Sequence, residues 1–295
     1  MRILLTGRDG QVGWELQRSL RPLGEVVALD RGGMDLSSPD SIRTAIRGAK
    51  PEIIVNAAAY TLVDKAESEP DLAMRINGVA PGIMAEEAKR NGALLIHYST
   101  DYVFDGTKQG PYLEDDAPNP VSSYGRSKLA GEEAIRATRV PHLILRTSWV
   151  YAARGNNFVR TMLRLARERG ELRIVNDQLG APTWARFLAE ATAQVLSANG
   201  GTARDNSGLY HLTSAGAVSW FGFAEAIFAE AGRRLPGFKS PTLAPIPTSA
   251  YPLPARRPAN SRLDTAKLTT TFGLTPPRWE AMLKQCMKEI EPGAA

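Results

Sequence analysis

The sequence predicts an α/β fold: a doubly wound parallel sheet with a smaller C-terminal α/β lobe. Three observations carry this expectation. A short apolar run, RILLT at 2–6, leads through glycines at 7, 10 and 13 into a segment of helical apolar spacing. Apolar runs and helix-patterned segments then alternate as far as Arg146. Runs such as PEIIVNAAAYT and ALLIHYST are continuously apolar, as strands covered on both faces should be.

Taken in order, the first strand and its turn open a helix through WELQRSL. Gly7 and Gly10 let backbone amides approach a pyrophosphate, whose charge the helix N-terminus also favours, and Gly13 lets the helix pack close to the strand. The second strand, EVVALD, ends in Asp30, placed to meet an adenosine ribose. An aspartate there favours NAD, whereas the neighbouring Arg31 suits the 2′-phosphate of NADP, so both cofactors remain open. Asp35 and Leu36 fall near the adenine edge, and Ser38 caps a helix starting at Pro39. After the third strand, Ala57, Ala58 and Ala59 leave room at the carboxyl edge of the sheet, where open α/β sheets bind ligands. A helix over 70–90 and the strand ALLIHYST complete the next unit.

Beyond HLILRTSWVY the pattern changes. It predicts a helix in NNFVRTMLRLARER, a strand at ELRIV, an Ala-rich helix near 184–198, a surface loop at GGTARDNSG, a strand at LYHL and a helix at WFGFAEAIFAEA. The proline-dense passage from Pro236 to Pro258 is expected to run as loop and edge strand along a cleft, before helices near 264–272 and 278–290. Residues 1–150 are thus expected to form a Rossmann-like dinucleotide-binding domain and 151–295 mainly a substrate-binding lobe, with segments near 171–198 returning to the first domain.

Composition narrows the function classes. With 295 residues and 43% apolar content the chain can bury a full core. Its formal charge of +5 is dispersed among acids, which argues against a nucleic-acid partner. MRILLTG is too short for a secretory apolar region and no run is long enough to cross a bilayer, so no membrane partner is expected. The single cysteine, Cys286, fits a reducing compartment and a cytoplasmic location. His97, His142 and His211 are too scattered to suggest zinc.

The chemistry concentrates in HYSTDYVFDG, from His97, and YGRSK, from Tyr124. Tyr124 and Lys128 lie one helical turn apart on one face, so the lysine ammonium is expected to lower the phenol's pKa and also to reach nicotinamide ribose hydroxyls. Such a tyrosine can protonate a carbonyl oxygen as hydride arrives at carbon, with Thr100 at a strand end bonding the same oxygen.

With GxxGxxG at 7–13, NAAAYT at 56–61, STDYVFDG at 99–106 and YGRSKLAGE at 124–132, the chain resembles the extended short-chain dehydrogenase/reductases. The ordered blocks TGRDGQVGWEL, VDKAE, RTSWVY, GNNF, NDQLGAPT and RPANSRLD narrow the resemblance to the dTDP-4-dehydrorhamnose reductase family, over the chain to about Asp264. The resemblance implies Tyr124 as proton donor with Lys128 and Thr100 beside it, and a cofactor turn at Gly10, Gln11 and Val12. It places Asp30, Asp35, Leu36, Ala59 and Thr61 at further NADPH or NADH positions. Asp101 and Trp149 would line the site of a dTDP-linked 4-keto sugar, and Arg257 or Arg262 could clamp its diphosphate. Some relatives hold Mg2+ between subunits with the counterpart of Glu15 and a second acid, whose position here is Arg186. No metal is therefore expected, and the chain is expected to act as a monomer or homodimer. The alternatives are a sugar-nucleotide epimerase or dehydratase, disfavoured because Tyr102 rather than a second acid follows Asp101, and a non-catalytic dinucleotide-binding regulatory subunit.

Overall fold

A computed structural model describes residues 1–197 and 202–290. The first half runs β1 (Arg2–Thr6), α1 (Gln11–Ser19), β2 (Glu25–Leu29), α2 (Pro39–Ala49), β3 (Ile53–Asn56), α3 (Pro70–Met74), α4 (Ala80–Asn91), β4 (Leu94–Thr100), α5 (Ser123–Thr138) and β5 (His142–Thr147). The second half runs β6 (Val150–Tyr151), α6 (Phe158–Glu168), β7 (Glu171–Val175), β8 (Leu179–Gly180), β9 (Thr183–Trp184), α7 (Ala185–Ser197) and α8 (Thr202–Asp205). It continues through β10 (Gly208–His211), β11 (Val218–Ser219), α9 (Trp220–Arg234), β12 (Thr242–Ile246), α10 (Ala266–Phe272) and α11 (Trp279–Met287).

Six strands form one sheet in the order β10-β5-β4-β3-β1-β2, parallel throughout. Successive residues of β1 feed opposite faces, as strand geometry requires. Ile3 and Leu5 pack with Leu16 of α1, Leu188 of α7 and Leu268 of α10, while Leu4 packs with Ile42 of α2 and Met84 of α4. The chain moves from β1 outward to β2 and then crosses to β3 on the other side of β1. Thr6 and Asn56 therefore end the two strands that flank the topological switch point.

The smaller lobe is built on α6, α9, α11 and the parallel pair β7 and β12, around a core that includes Trp184, Phe223 and Met282. Of the segment 171–198 expected to return to the first domain, α7 does pack on α1, but β7 pairs with β12 instead of joining the sheet. The sheet is extended by β10, whose Gly208–His211 run pairs with β5. Part of GGTARDNSG is helical, at Thr202–Asp205, rather than loop. Residues 198–201 of that stretch and of the Ala-rich helix lie outside the described residues. Among the described residues no helix is long and apolar enough to cross a membrane.

One buried ion pair fixes α5 to the sheet. Arg146 of β5 and Glu132 of α5 are 1% and 0% exposed, and Arg146 donates two hydrogen bonds to the carboxylate at 2.9 and 2.7 Å. The Ser99 hydroxyl of β4 donates to the same carboxylate, and the guanidinium lies 5.0 Å from the centre of the Phe104 ring. Removing one partner would strand a buried charge at a cost of about 3–5 kcal/mol. Arg146→Met alone should lower stability by that amount in urea unfolding. Combining it with Glu132→Leu should recover a large share.

Candidate active site

The glycine turn has the geometry of an anion cradle. Gly7 takes a φ of +70°, which side chains rarely tolerate, and a Cβ on Gly13 would collide with the Gly7 carbonyl. Gly10 caps α1 without a side-chain bond, and no acid occupies the first turn, so the helix amides face outward unopposed. The Gln11 Oε1 atom is buried with no partner, and Val12 packs onto the core beneath. Asp30 follows β2 as expected, accepting from the Gly33 amide at 2.9 Å and from Arg8 at 2.6 Å. The Gly33 bond, helped by Arg8 and opposed by burial, holds its carboxyl below the ordinary range. Arg31 is 80% exposed and approaches Asp35 at 3.9 Å, while the Asp35 carboxylate accepts from both the amide and hydroxyl of Ser37. Leu36 is buried with Met34 in the core. Its side chain therefore serves packing.

Ala59 and Thr61 flank Tyr60, which is pinned through its backbone. Asn77 accepts from the Tyr60 amide at 2.9 Å and donates to its carbonyl at 3.0 Å. Asn77 sits in a π-helical turn over Arg75–Val79, the kind of helix defect that often marks a site. The amide-rich turn, the orphaned Gln11 oxygen and the acid after β2 together fit a dinucleotide.

Thr100, Tyr124 and Lys128 are brought together at the carboxyl end of β4. Ser122 caps α5 by accepting from the Gly125 amide at 3.1 Å, which sets Tyr124 in the first turn. The Thr100 hydroxyl lies close enough to the Tyr124 phenol to oppose a rise in its pKa. The expectation that Lys128 lowers this phenol's pKa is not met: burial pushes it up to about 12, opposed by Thr100. The reason is where the lysine points. Its Nζ donates to the Tyr98 carbonyl at 2.6 Å and lies 3.2 Å from His97 Nε2, and burial draws it down to about 8. Tyr102 meets Tyr124 edge-on, with ring centres 5.6 Å apart.

Asp101 accepts from Thr100 at 3.0 Å through Oδ1, while its buried Oδ2 has no partner. Burial raises this carboxyl to about 6.

Trp149 follows β5 with a φ of +48°, a strained conformation of the kind that clusters at functional sites. Its indole stacks on Trp220 with centres 3.4 Å apart and occupies the space a Cβ on Gly180 would need. Beside this pair opens a cavity of about 1470 Å³, lined by Trp220, Gln178, Arg173, Tyr251 and Arg257. The two late arginines separate here. Arg257 lines the cavity and donates to both Asp64 oxygens at 3.0 and 2.8 Å. Arg262 instead donates to Asn260 Oδ1 at 2.8 Å and to the Gln109 carbonyl, bracing a surface loop. Glu15 is held by Arg186 at 3.0 Å, and the same guanidinium donates to Glu289. A cation supplied by the chain itself thus sits between these acids.

Sequence reasoning missed Arg8, Asp64, Asn77, Tyr102 and Trp220. VDKAE and STDYVFDG contained two of them, but the partners are far away in sequence, as with Asp64 and Arg257, 193 residues apart. The Asp101 environment yields a pH prediction. A carboxyl with a folded-state value near 6 against 3.8 binds its proton more tightly when folded, so stability falls as pH rises through that window. Asp101→Asn should therefore raise the melting temperature above about pH 6.5, by up to about 3 kcal/mol of stability. Melting curves should converge below about pH 4, where both carboxyl states are protonated.

Comparison with known proteins places this geometry. The family model described as RmlD substrate binding domain matches residues 1–291. A dTDP-4-dehydrorhamnose reductase of Burkholderia thailandensis is 52% identical over 98% of this chain and 99% of its own length. One from Escherichia coli is 49% identical over 98% of each. The crystal structure of the Bacillus anthracis dTDP-4-dehydrorhamnose reductase in complex with NADP superposes with a TM-score of 0.90 at 35% identity, covering 98% of this chain and 99% of that one. The chain belongs to the RmlD substrate-binding-domain family, that of the dTDP-4-dehydrorhamnose reductases.

Proposed function

We propose that this chain reduces the C4 ketone of dTDP-4-dehydro-β-L-rhamnose to dTDP-L-rhamnose with NADPH or NADH, as a cytoplasmic monomer or homodimer. The observation that carries this reading is the convergence of Thr100, Tyr124 and Lys128 at the end of β4, with Tyr102 packed edge-on against Tyr124. A reduced nicotinamide on the glycine turn supplies the hydride. Asp30, Arg8 and Arg31 stand at its adenosine end, with the acid suited to a free ribose and the arginines to a 2′-phosphate.

Thr100 orients the substrate oxygen and Tyr124 gives it a proton, so the phenol O–H bond breaks as the product hydroxyl forms. A phenol held near 12 is a poor acid alone; to stabilise the tyrosinate left behind, the Lys128 ammonium must turn from the Tyr98 carbonyl toward the phenol. Asp101 and the Trp149 indole line the sugar, and Arg257 exchanges Asp64 for the diphosphate. Ala59 and Thr61, clamped by Asn77 through Tyr60, wall the cofactor side.

The test is consumption of NADH and NADPH with the dTDP-linked keto sugar and a UDP-linked analogue. Tyr124→Phe should lower kcat by about 10²–10⁴-fold while leaving NADPH binding intact. Normal turnover by that variant would sink the assignment. Arg257→Ala should raise KM about tenfold or more, whereas Arg262→Ala should leave KM near wild type while softening the 108–110 loop to proteolysis.

A further inference from the structure

Lys128 ends a buried polar line that starts at the switch point. Thr6, Asn56, His97 and Lys128 are 2%, 1%, 1% and 2% exposed, and each lies within hydrogen-bonding distance of the next. The Asn56 oxygen accepts from the Thr6 hydroxyl at 2.7 Å and from the Ala58 amide at 3.3 Å. Its amide nitrogen is thereby turned to His97 Nδ1, at 3.0 Å. Nδ1 then accepts, and a neutral imidazole carries its one proton on Nε2. That proton points at Lys128 Nζ, 3.2 Å away. Two N–H donors cannot share one line, so the bond forms only when Nζ offers a lone pair, as an uncharged amine donating to the Tyr98 carbonyl.

The opposite arrangement keeps His97 paired on both sides, at the cost of the acceptor that Asn56 gives the Thr6 hydroxyl and the Ala58 amide. With the imidazole proton on Nδ1 and the Asn56 amide turned over, its oxygen accepts from Nδ1 and its nitrogen donates to Thr6 Oγ1. The Ala58 amide, 3.3 Å from that hydroxyl, keeps a partner. Nε2 is then bare and accepts from an ammonium. The two arrangements differ by one proton on Nζ.

We propose that His97 is a positioning residue for Lys128, its tautomer and the orientation of Asn56 deciding whether the lysine nitrogen is held as an amine or as an ammonium. Other groups around Nζ do not take over this role. From α5, Tyr124 is neutral and Glu132, itself paired with Arg146 of β5, raises Lys128 only against the larger effect of burial; from β4 comes the Tyr98 carbonyl, and Asp101 acts on Tyr124. The lowering of Lys128 and of His97, each caused first by burial, agrees with a pair that carries at most one charge. The catalytic meaning rests on the reductase reading: the relay sets the pH above which Lys128 no longer supports the tyrosinate.

The experiment is ¹⁵N NMR titration of lysine Nζ in the full chain, with and without NADPH, the Lys128 signal being assigned by its loss in Lys128→Met. His97→Gln offers the ammonium an amide oxygen and carries no ring proton that must move first, so Lys128 should titrate about one pH unit or more higher. His97→Phe removes the acceptor, so the titration should move down by a similar amount. The alkaline limb of kcat/KM should move in the same direction in each variant. An unchanged Lys128 titration in folded His97→Gln, or shifts of the same sign in both variants, would overturn the proposal. If His97→Phe fails to fold, His97→Gln decides alone. Absence of turnover by the wild-type chain would defeat the reductase reading, while the NMR titration would still decide the role of His97.

Discussion

Two full charges removed from water must neutralise each other, and Arg146 with Glu132 meets that requirement inside the fold. The pair joins β5 to α5, and Ser99 adds β4 to the same carboxylate. Three elements are thereby held at one register. Tyr124 and Lys128 stand on the α5 turns preceding Glu132, and Thr100 follows Ser99. A slip of α5 would unpair the buried guanidinium, so the ion pair fixes where the phenol stands relative to the threonine. Hydrophobic packing alone, which tolerates small sliding, specifies such a position less sharply.

Burial then tunes what the ion pair positions. Tyr124 and Asp101 are pushed up and Lys128 is pulled down, each shift led by desolvation and each favouring the neutral form. A site of this kind is poor at holding charge at rest. It gains most from charge that arrives with a bound molecule or develops during reaction. The exceptions stand at its rim, where Arg257 and Asp64 bond bidentately and Asp30 is held by Arg8 and the Gly33 amide.

Legibility in the sequence followed the range of the interactions. The glycine turn, the cap at Ser38 and the Tyr124 and Lys128 spacing are local, and local periodicity revealed them. The continuous apolarity of β3 and β4 likewise foretold burial on both faces. What was not legible depends on distant partners. ELRIV and LYHL read alike as short strands, yet β7 pairs with β12 while β10 completes the main sheet. Trp149 at φ +48° carries no sequence signal, because the residues its indole packs against, Trp220 and Gly180, are distant in the chain. The phenol of Tyr124 was misjudged because spacing gives proximity to Lys128, whereas His97 and Tyr98 decide where the ammonium points.

The strand β10 has a consequence for how the chain must be assembled. The chain leaves the sheet after β5, adds most of α6 to β9, and only then contributes α7 and β10. Later it returns again, placing Leu268 of α10 against the same apolar face that α1 and α7 cover. A fragment ending near residue 150 would present the bare edge of β5 and an uncovered apolar layer, two features that promote aggregation. During synthesis the sheet stays unfinished until His211 has emerged. The lobe is threaded through the completion of the sheet, so neither part can be excised by a single cut.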